Sequence, residues 1–162
     1  MSTADPRGPE GRDDRVLLVG SSGGHLAQLL ALAPLWRQEC RAWVTFDTID
    51  ATSVLADETV FWAHHPTTRN VQNLARNARL ARRVIRDFAP DVVVSTGAAV
   101  AYPFFLAARA RGIPTVYVEV YDRVESSTLT GRLCRPVTNL FCVQWPEQQS
   151  LYKDSVVVGT LL

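Results

Sequence analysis

From Arg15 onward, short β-branched runs alternate with longer stretches that carry an apolar residue every three or four positions, and few folds accept that alternation. Residues 15–19 (RVLLV) form a continuous apolar run of the kind that fills a strand buried on both faces of a parallel sheet. The same reading predicts strands at 42–46, 59–63, 91–95, 115–119, 140–144 and 155–158. It predicts helices from Gly24 to about Trp36, over 69–88 and over 98–111, with a helical turn around 129–134. Strand and helix repeated in this way give a doubly wound, mostly parallel, Rossmann-like α/β sheet with right-handed crossovers. Ligands of such sheets sit beyond the carboxyl ends of the strands, which directs attention to the loops at 20–25, 47–50, 64–69, 96–102 and 119–127.

At 162 residues, with 47% hydrophobic and 20% charged positions, the chain is globular in composition and holds a single domain. The polar residues 1–14, rich in Pro and Gly and without an apolar core, read as a disordered leader ahead of one domain at 15–162. A net charge of +1 argues against a nucleic-acid binder that must neutralise many phosphates. The cationic side is almost all arginine, concentrated at Arg69, Arg76, Arg79, Arg82, Arg83 and Arg86, as either a solvated helix face or a surface for anionic headgroups. Three scattered cysteines form no disulfide framework and no CxxC metal site, which fits a reducing, cytoplasmic compartment. The apolar runs at 26–36 and 98–108 are short of the roughly 18–20 residues that span a bilayer, so any membrane attachment is expected to be peripheral.

The loop Gly20-Ser21-Ser22-Gly23-Gly24-His25 is the most informative segment. Glycines between a buried strand and a helix let the backbone approach a ligand, and the free amides of the first helical turn favour an anion such as a phosphate. The dinucleotide fingerprint G-x-G-x-x-G is absent, and the P-loop lysine is missing. His25, above the sheet at the helix start, is a candidate general base. His64, His65 and Pro66 read as turn chemistry, since no third metal ligand stands at a familiar spacing. Gly20-x-Ser22-x-Gly24 formally fits a hydrolase nucleophile elbow, with Asp47 or Asp57 and then His64 in the matching order. Against this, the elbow follows the first strand, and the histidine does not lie late in the domain.

Taken together, VLLVGSSGGHLAQLLAL, APDVVVSTGAAVAYPFFLAARARGIPTVYVE, YDRVESSTLTGRL, LFCVQWPEQ and VVVGTLL resemble the Alg14 family and its bacterial PssD and CpsF-type relatives in capsule and exopolysaccharide synthesis. The resemblance covers nearly all of 15–162. It implies the N-terminal, acceptor-binding half of a GT-B glycosyltransferase, with a separate Alg13-like or PssE-like subunit supplying the donor-sugar domain and the active site in the cleft between them. The chain's size agrees, because a complete GT-B enzyme needs two such domains.

The resemblance, which extends to the single-chain enzyme MurG, also assigns roles. Gly20, Ser21, Ser22, Gly23 and Gly24 would hold the diphosphate of a polyprenyl-linked acceptor. Thr96, Gly97 and Tyr102 match a later glycine-rich loop, although Ala98 and Ala99 stand where glycines are commoner. Glu119 matches a glutamate at a strand end, and would act as base itself, orient His25 or bind acceptor hydroxyls, unless it merely pairs with Arg123. Arg123, Ser126 and Ser127 match the loop that follows, at a rim suited to phosphate. The tail Gly159, Thr160, Leu161 and Leu162 would dock the partner. Catalysis would rest first on His25 and second on Glu119, with no metal and no cofactor. A non-catalytic scaffold for a partner transferase is the alternative from another class. The bias for arginine over lysine suggests a GC-rich bacterial genome and hence capsule synthesis.

Overall fold

The structure, a computed structural model, describes residues 12–162. Seven parallel strands form one sheet: β1 (Val16–Val19), β2 (Arg41–Thr45), β3 (Thr59–Trp62), β4 (Val92–Ser95), β5 (Thr115–Val118), β6 (Leu140–Val143) and β7 (Val156–Val157). Their order is β3-β2-β1-β4-β5-β6-β7, so the chain winds outward in one direction from β1 and in the other from β4. β1 lies inside the sheet next to the central β4, in register with β2 on one side and β4 on the other, and all four of its side chains are fully buried. A strand covered on both faces has no use for polar alternation, which is why the run reads VLLV.

The two faces carry separate cores. Val16 and Leu18 pack with Trp43 and with Leu26 and Leu29 of α1 (Gly24–Leu32). Leu17 and Val19 pack on the opposite side with α3 (Val71–Phe88) and α4 (Ala101–Arg109), through Leu80, Val84, Phe104 and Phe105. α3 buries Leu80, Ala81, Val84 and Ile85 and turns Arg76, Arg79, Arg82, Arg83 and Arg86 to solvent. Its polar Asn77 is buried too, but satisfied: the Oδ1 accepts from the His64 amide at 2.8 Å and the Nδ2 donates to the His64 carbonyl at 2.9 Å. The backbone at His64, where β3 has ended, is thereby anchored to α3, and the chain bends at His65.

Element boundaries differ from the sequence pattern for local reasons. α3 starts two residues later than expected, because the Asn70 side chain accepts from the Asn73 amide and caps it. α4 starts at Ala101 because Ala98 stands in a left-handed conformation (φ 68°) that a helix cannot include. α1 ends at Leu32, and a 3-10 turn at Ala33–Leu35, with its proline at the first turn, takes the rest of the expected helix. The short α2 (Ile49–Val54) was not expected from the sequence, whereas α5 (Leu129–Cys134) falls where the helical turn was placed. The first eleven residues of the expected leader lie outside the described residues. Arg12 belongs to the fold: its amide donates to the Leu35 carbonyl at 2.8 Å and its carbonyl accepts from the Arg37 amide at 3.2 Å.

The amino end of β2 is clamped by charge. The Arg41 guanidinium hydrogen bonds to both Glu58 carboxylate oxygens and to the Ala33 carbonyl, while the Trp43 indole donates to Glu58 at 2.8 Å. Burial pushes the Glu58 carboxyl up, but the bonds from Arg41 and Trp43 outweigh it and hold the group below its ordinary value. A lowered folded-state value contributes stability above the unfolded carboxylate's pKa of about 4.3, and that contribution fades as the pH falls through the folded value. Glu58→Gln should therefore reduce the unfolding free energy by about 2 kcal/mol at neutral pH. In urea unfolding curves, the gap from wild type should close on acidification below about pH 4.

Candidate functional site

The sheet changes winding direction between β1 and β4, and the loops leaving the carboxyl ends of β1, β4 and β5 separate there. Between them lies a cavity of about 350 Å³ lined by Gly24, His25, Gln28, Ala98, Tyr117 and Glu119, with Asp122 and Arg123 from the loop after β5 and Thr128 and Thr130 at the start of α5. This is the place where the topology of an open α/β sheet makes a crevice. Among the described residues no N-cap side chain closes the amino end of α1, and its first turn carries no acidic residue. The amides from Gly24 onward and the positive dipole end are therefore available to an anion, while the amide of the preceding Gly23 hydrogen bonds to the Asp50 carboxylate.

His25 is fixed by a reciprocal pair of hydrogen bonds across the crevice. Its Nδ1 lies 2.9 Å from the Thr96 carbonyl oxygen, and the Thr96 hydroxyl donates to the His25 carbonyl at 2.9 Å. A carbonyl only accepts, so Nδ1 carries the proton and the neutral ring keeps its lone pair on Nε2. Nε2 makes no hydrogen bond to any other described residue. Gly97 makes this packing possible: it adopts φ 114°, and a Cβ there would stand 2.9 Å from the Tyr117 hydroxyl and 3.0 Å from His25 Cε1. The next residue, Ala98, takes its positive φ without being glycine.

Glu119 has a different setting. Its side chain is completely buried and accepts from the Val120 amide at 3.0 Å, from the Thr128 hydroxyl at 2.9 Å and from the Tyr152 hydroxyl. Thr128 Oγ1 in turn accepts from the Gly131 amide and caps α5. Gly131 is required where it stands, since a Cβ would come within 2.5 Å of both Glu119 Oε2 and Tyr152 Oη. Burial, and then the Glu119 carboxylate, push the Tyr152 and Tyr117 phenols up, so both remain neutral donors at physiological pH. Among the described residues Arg123 is not a hydrogen-bond partner of Glu119, so the simple ion pair is not what holds this carboxylate. It is a staple under α5 and the preceding loop.

That loop is held from above by glutamine. Gln148, fully buried, donates from Nε2 to the carbonyls of Val120 and Arg123 and accepts at Oε1 from the amides of Gln144 and Trp145. The Trp145 indole adds a bond to the Tyr121 carbonyl at 2.8 Å. The backbone at Arg123 is therefore fixed while its side chain remains exposed, as does Ser126 further along.

Of the residues singled out in the sequence, Gly24, His25, Glu119 and Arg123 come together in this cavity, and Thr96 and Gly97 buttress it from behind. Tyr102 lines a neighbouring apolar groove with Val71, Leu74, Leu129 and Leu133, which meets the cavity at Thr130. Leu161 of the tail lies elsewhere, in a groove of about 550 Å³ on the α1 side of β4, β5 and β6, lined by Val94, Val116, Val118 and Cys142 together with Leu32, Leu35 and Trp36. Asp47, considered as a hydrolase acid beside His64, instead pairs with His65 Nε2 at 2.9 Å. Sequence reasoning missed Gln28, Tyr117, Thr128 and Tyr152. Gln28 alone left a signal, as the one polar position between Leu26 and Leu32. Among the described residues no three His, Cys, Asp or Glu side chains gather as metal ligands.

Removing the Tyr152 hydroxyl leaves a buried carboxylate short of a donor. Tyr152→Phe should lower the unfolding free energy by about 1–3 kcal/mol in chemical denaturation, and an unchanged midpoint would contradict the staple.

Comparison with known proteins agrees with this architecture. Residues 62–161 match the family described as "Oligosaccharide biosynthesis protein Alg14 like". The UDP-N-acetylglucosamine transferase subunit ALG14 of Homo sapiens is 26% identical over 91% of this chain and 82% of its own length. The UDP-N-acetylglucosamine--N-acetylmuramyl-(pentapeptide) pyrophosphoryl-undecaprenol N-acetylglucosamine transferase of Halothermothrix orenii is 28% identical over 86% of this chain but only 40% of its own. Among solved structures, MurG of Acinetobacter baumannii superposes with a TM-score of 0.72 at 22% identity, over 91% of this chain and 46% of that one. The UDP-GlcNAc 2-epimerase of Neisseria meningitidis gives a TM-score of 0.67 at 16% identity, again over 46% of its length, so the chain spans about half of these two-fold larger proteins. A doubly wound sheet of the GT-B type, with a crevice at its switch point and a family match over 62–161, makes this chain a member of the Alg14-like family.

Proposed function

We propose that this chain is the acceptor-binding subunit of a two-subunit glycosyltransferase that moves a sugar from a nucleotide sugar to a polyprenyl-diphosphate-linked acceptor in bacterial capsule or exopolysaccharide synthesis. The donor domain comes from a separate Alg13-like or PssE-like subunit. The relatives named as N-acetylglucosamine transferases support the reaction class, and the half-length match to MurG supports the need for a second domain.

The observation that carries the reading is the His25 ring, tied through Nδ1 to Thr96 and bordering a cavity, its other nitrogen without a hydrogen bond to any other described residue. The acceptor hydroxyl gives its proton to Nε2 as its oxygen bonds to the anomeric carbon of the donor. The anomeric C–O bond breaks, and the nucleoside diphosphate leaves with the electron pair. The diphosphate of the acceptor lipid lies at the uncapped start of α1, among Ser21, Ser22, Gly23 and Gly24, with Arg123 on the opposite rim. Ser126 and Ser127 lie further along the same loop. Glu119 is spent on the staple beneath α5 and acts by holding that rim in place rather than as a base.

The lipid leaves the cavity at Thr130 along the groove lined by Tyr102, Leu74 and Leu129. Val71, Leu74, Leu129 and Leu133 are exposed along it, and Leu106 is exposed in the adjoining groove with Arg82 and Arg86 of α3, whereas Pro103, Phe104 and Phe105 are buried. An apolar strip rimmed with guanidinium groups suits peripheral contact with an anionic inner leaflet. Among the described residues no helix is long and apolar enough to cross a membrane. The tail Gly159, Thr160, Leu161 and Leu162, whose Leu161 lines the groove over β4 to β6, is the partner-docking edge.

Reconstituted with an Alg13-like or PssE-like donor-binding subunit, the His25→Ala protein should lose about 10²–10⁴-fold in kcat while the complex still elutes as one species. Unchanged turnover would make the chain a scaffold, and Ser22→Ala should leave turnover within severalfold of wild type, which a serine nucleophile would not allow. In flotation assays the chain should bind phosphatidylglycerol vesicles and release them in high salt. Val71→Asp with Leu129→Asp should abolish binding, and a double variant that still floats would place the contact elsewhere.

A further inference from the structure

We propose that Gln28 holds the acceptor sugar, donating its side-chain amide to a sugar oxygen next to the hydroxyl that His25 deprotonates. This rests on the acceptor-binding reading above and adds the residue that distinguishes the sugar from its carrier.

Gln28 is 98% buried by its 2% exposure, an unusual place for a glutamine with an uncommitted end. Its orientation follows from a chain of forced choices. Gln144 Nε2 donates to the Glu119 carbonyl at 2.9 Å, and Gln144 Oε1 accepts from the Leu161 amide at 3.0 Å. A backbone carbonyl cannot donate and a backbone amide cannot accept, so Gln144 cannot be turned over. Its Nε2 also donates to Gln28 at 2.5 Å, so the atom of Gln28 that it meets is Oε1. The NH₂ end of Gln28 is left. It makes no hydrogen bond to another described residue, yet it is absent from the buried polar atoms sealed off without a partner, and Gln28 lines the cavity. The free amide opens there.

Residues 25 and 28 are three apart on α1 and share a face, so Nε2 of Gln28 lies on the same wall as the His25 ring, one turn further along the helix. An uncharged donor with a fixed direction is matched to a sugar hydroxyl or acetamido oxygen. The phosphates have stronger partners in the α1 amides and Arg123. Because the amide is buried, a ligand that offers it no oxygen leaves it unpaired, and this is the condition under which a hydrogen bond discriminates. The Leu161 amide lies only one side chain away, so seating of the tail also sets the direction of the Gln28 amide.

The test is calorimetric titration of the isolated chain with farnesyl diphosphate, and with farnesyl diphosphate bearing N-acetylglucosamine or glucose. Gln28→Met keeps the length and removes the donor. Gln28→Glu keeps an acceptor for Gln144, and it serves as the variant to use if the methionine protein folds poorly. The methionine variant should bind the better sugar-bearing lipid about tenfold more weakly than wild type while its affinity for farnesyl diphosphate stays within about twofold. In the glutamate variant the added charge weakens every diphosphate ligand, and the loss should be about tenfold greater for the sugar-bearing lipid than for farnesyl diphosphate. Equal losses for both lipids, or none, would overturn the role of Gln28 and leave the acceptor reading standing. Wild-type protein that binds none of the three lipids would overturn both.

Discussion

The pair of hydrogen bonds between His25 and Thr96 ties the start of α1 to the loop after β4, at the one point where the sheet reverses its winding. Without that tie the two loops would move independently, and a crevice would exist with no defined chemistry. With it, the imidazole has one tautomer and one direction, and the cost of ordering the ring is met during folding rather than at binding. Gly97 is part of the same constraint, because only a residue without a Cβ lets the ring and the Tyr117 hydroxyl come so close to the backbone.

Around this point the protein spends buried polar groups freely. Glu119, Gln28, Gln144 and Gln148 are all at most 2% exposed. Each would destabilise an apolar core if left alone; Glu119, Gln144 and Gln148 are tied to backbone groups whose direction cannot change, and Gln28 is tied to the side chain of Gln144. The network links α1, the loop after β5, the start of α5 and the chain's last residues. An apolar core of the same volume would tolerate small slides between these elements. A network in which one shift breaks several bonds does not, so the walls of the crevice hold their places relative to one another.

How much of this could be read in the chain itself depended on whether the cause was local. Runs such as VLLV and DVVVS specify central strands because burial on both faces admits nothing else, and the glycines after β1 mark the crevice. Those signals located the sheet, its switch point and His25. α2 was hidden because six residues without a clear apolar period resemble a loop. The setting of Glu119 was hidden for a different reason: Thr128, Tyr152 and Gly131 are distant in sequence, and nothing near Glu119 announces the donors that meet its carboxylate. Arg12 looked like leader because its contacts with Leu35 and Arg37 are made by backbone, which leaves no trace in composition.

The most direct measurement is a crystal structure of the chain with a farnesyl-diphosphoryl sugar. The account predicts the diphosphate against the first turn of α1 and a sugar hydroxyl within hydrogen-bond reach of His25 Nε2, with Nδ1 still on the Thr96 carbonyl. A ligand seated in the groove beside Val116 and Cys142, or a His25 ring turned away from Thr96 to bind the phosphates, would contradict it.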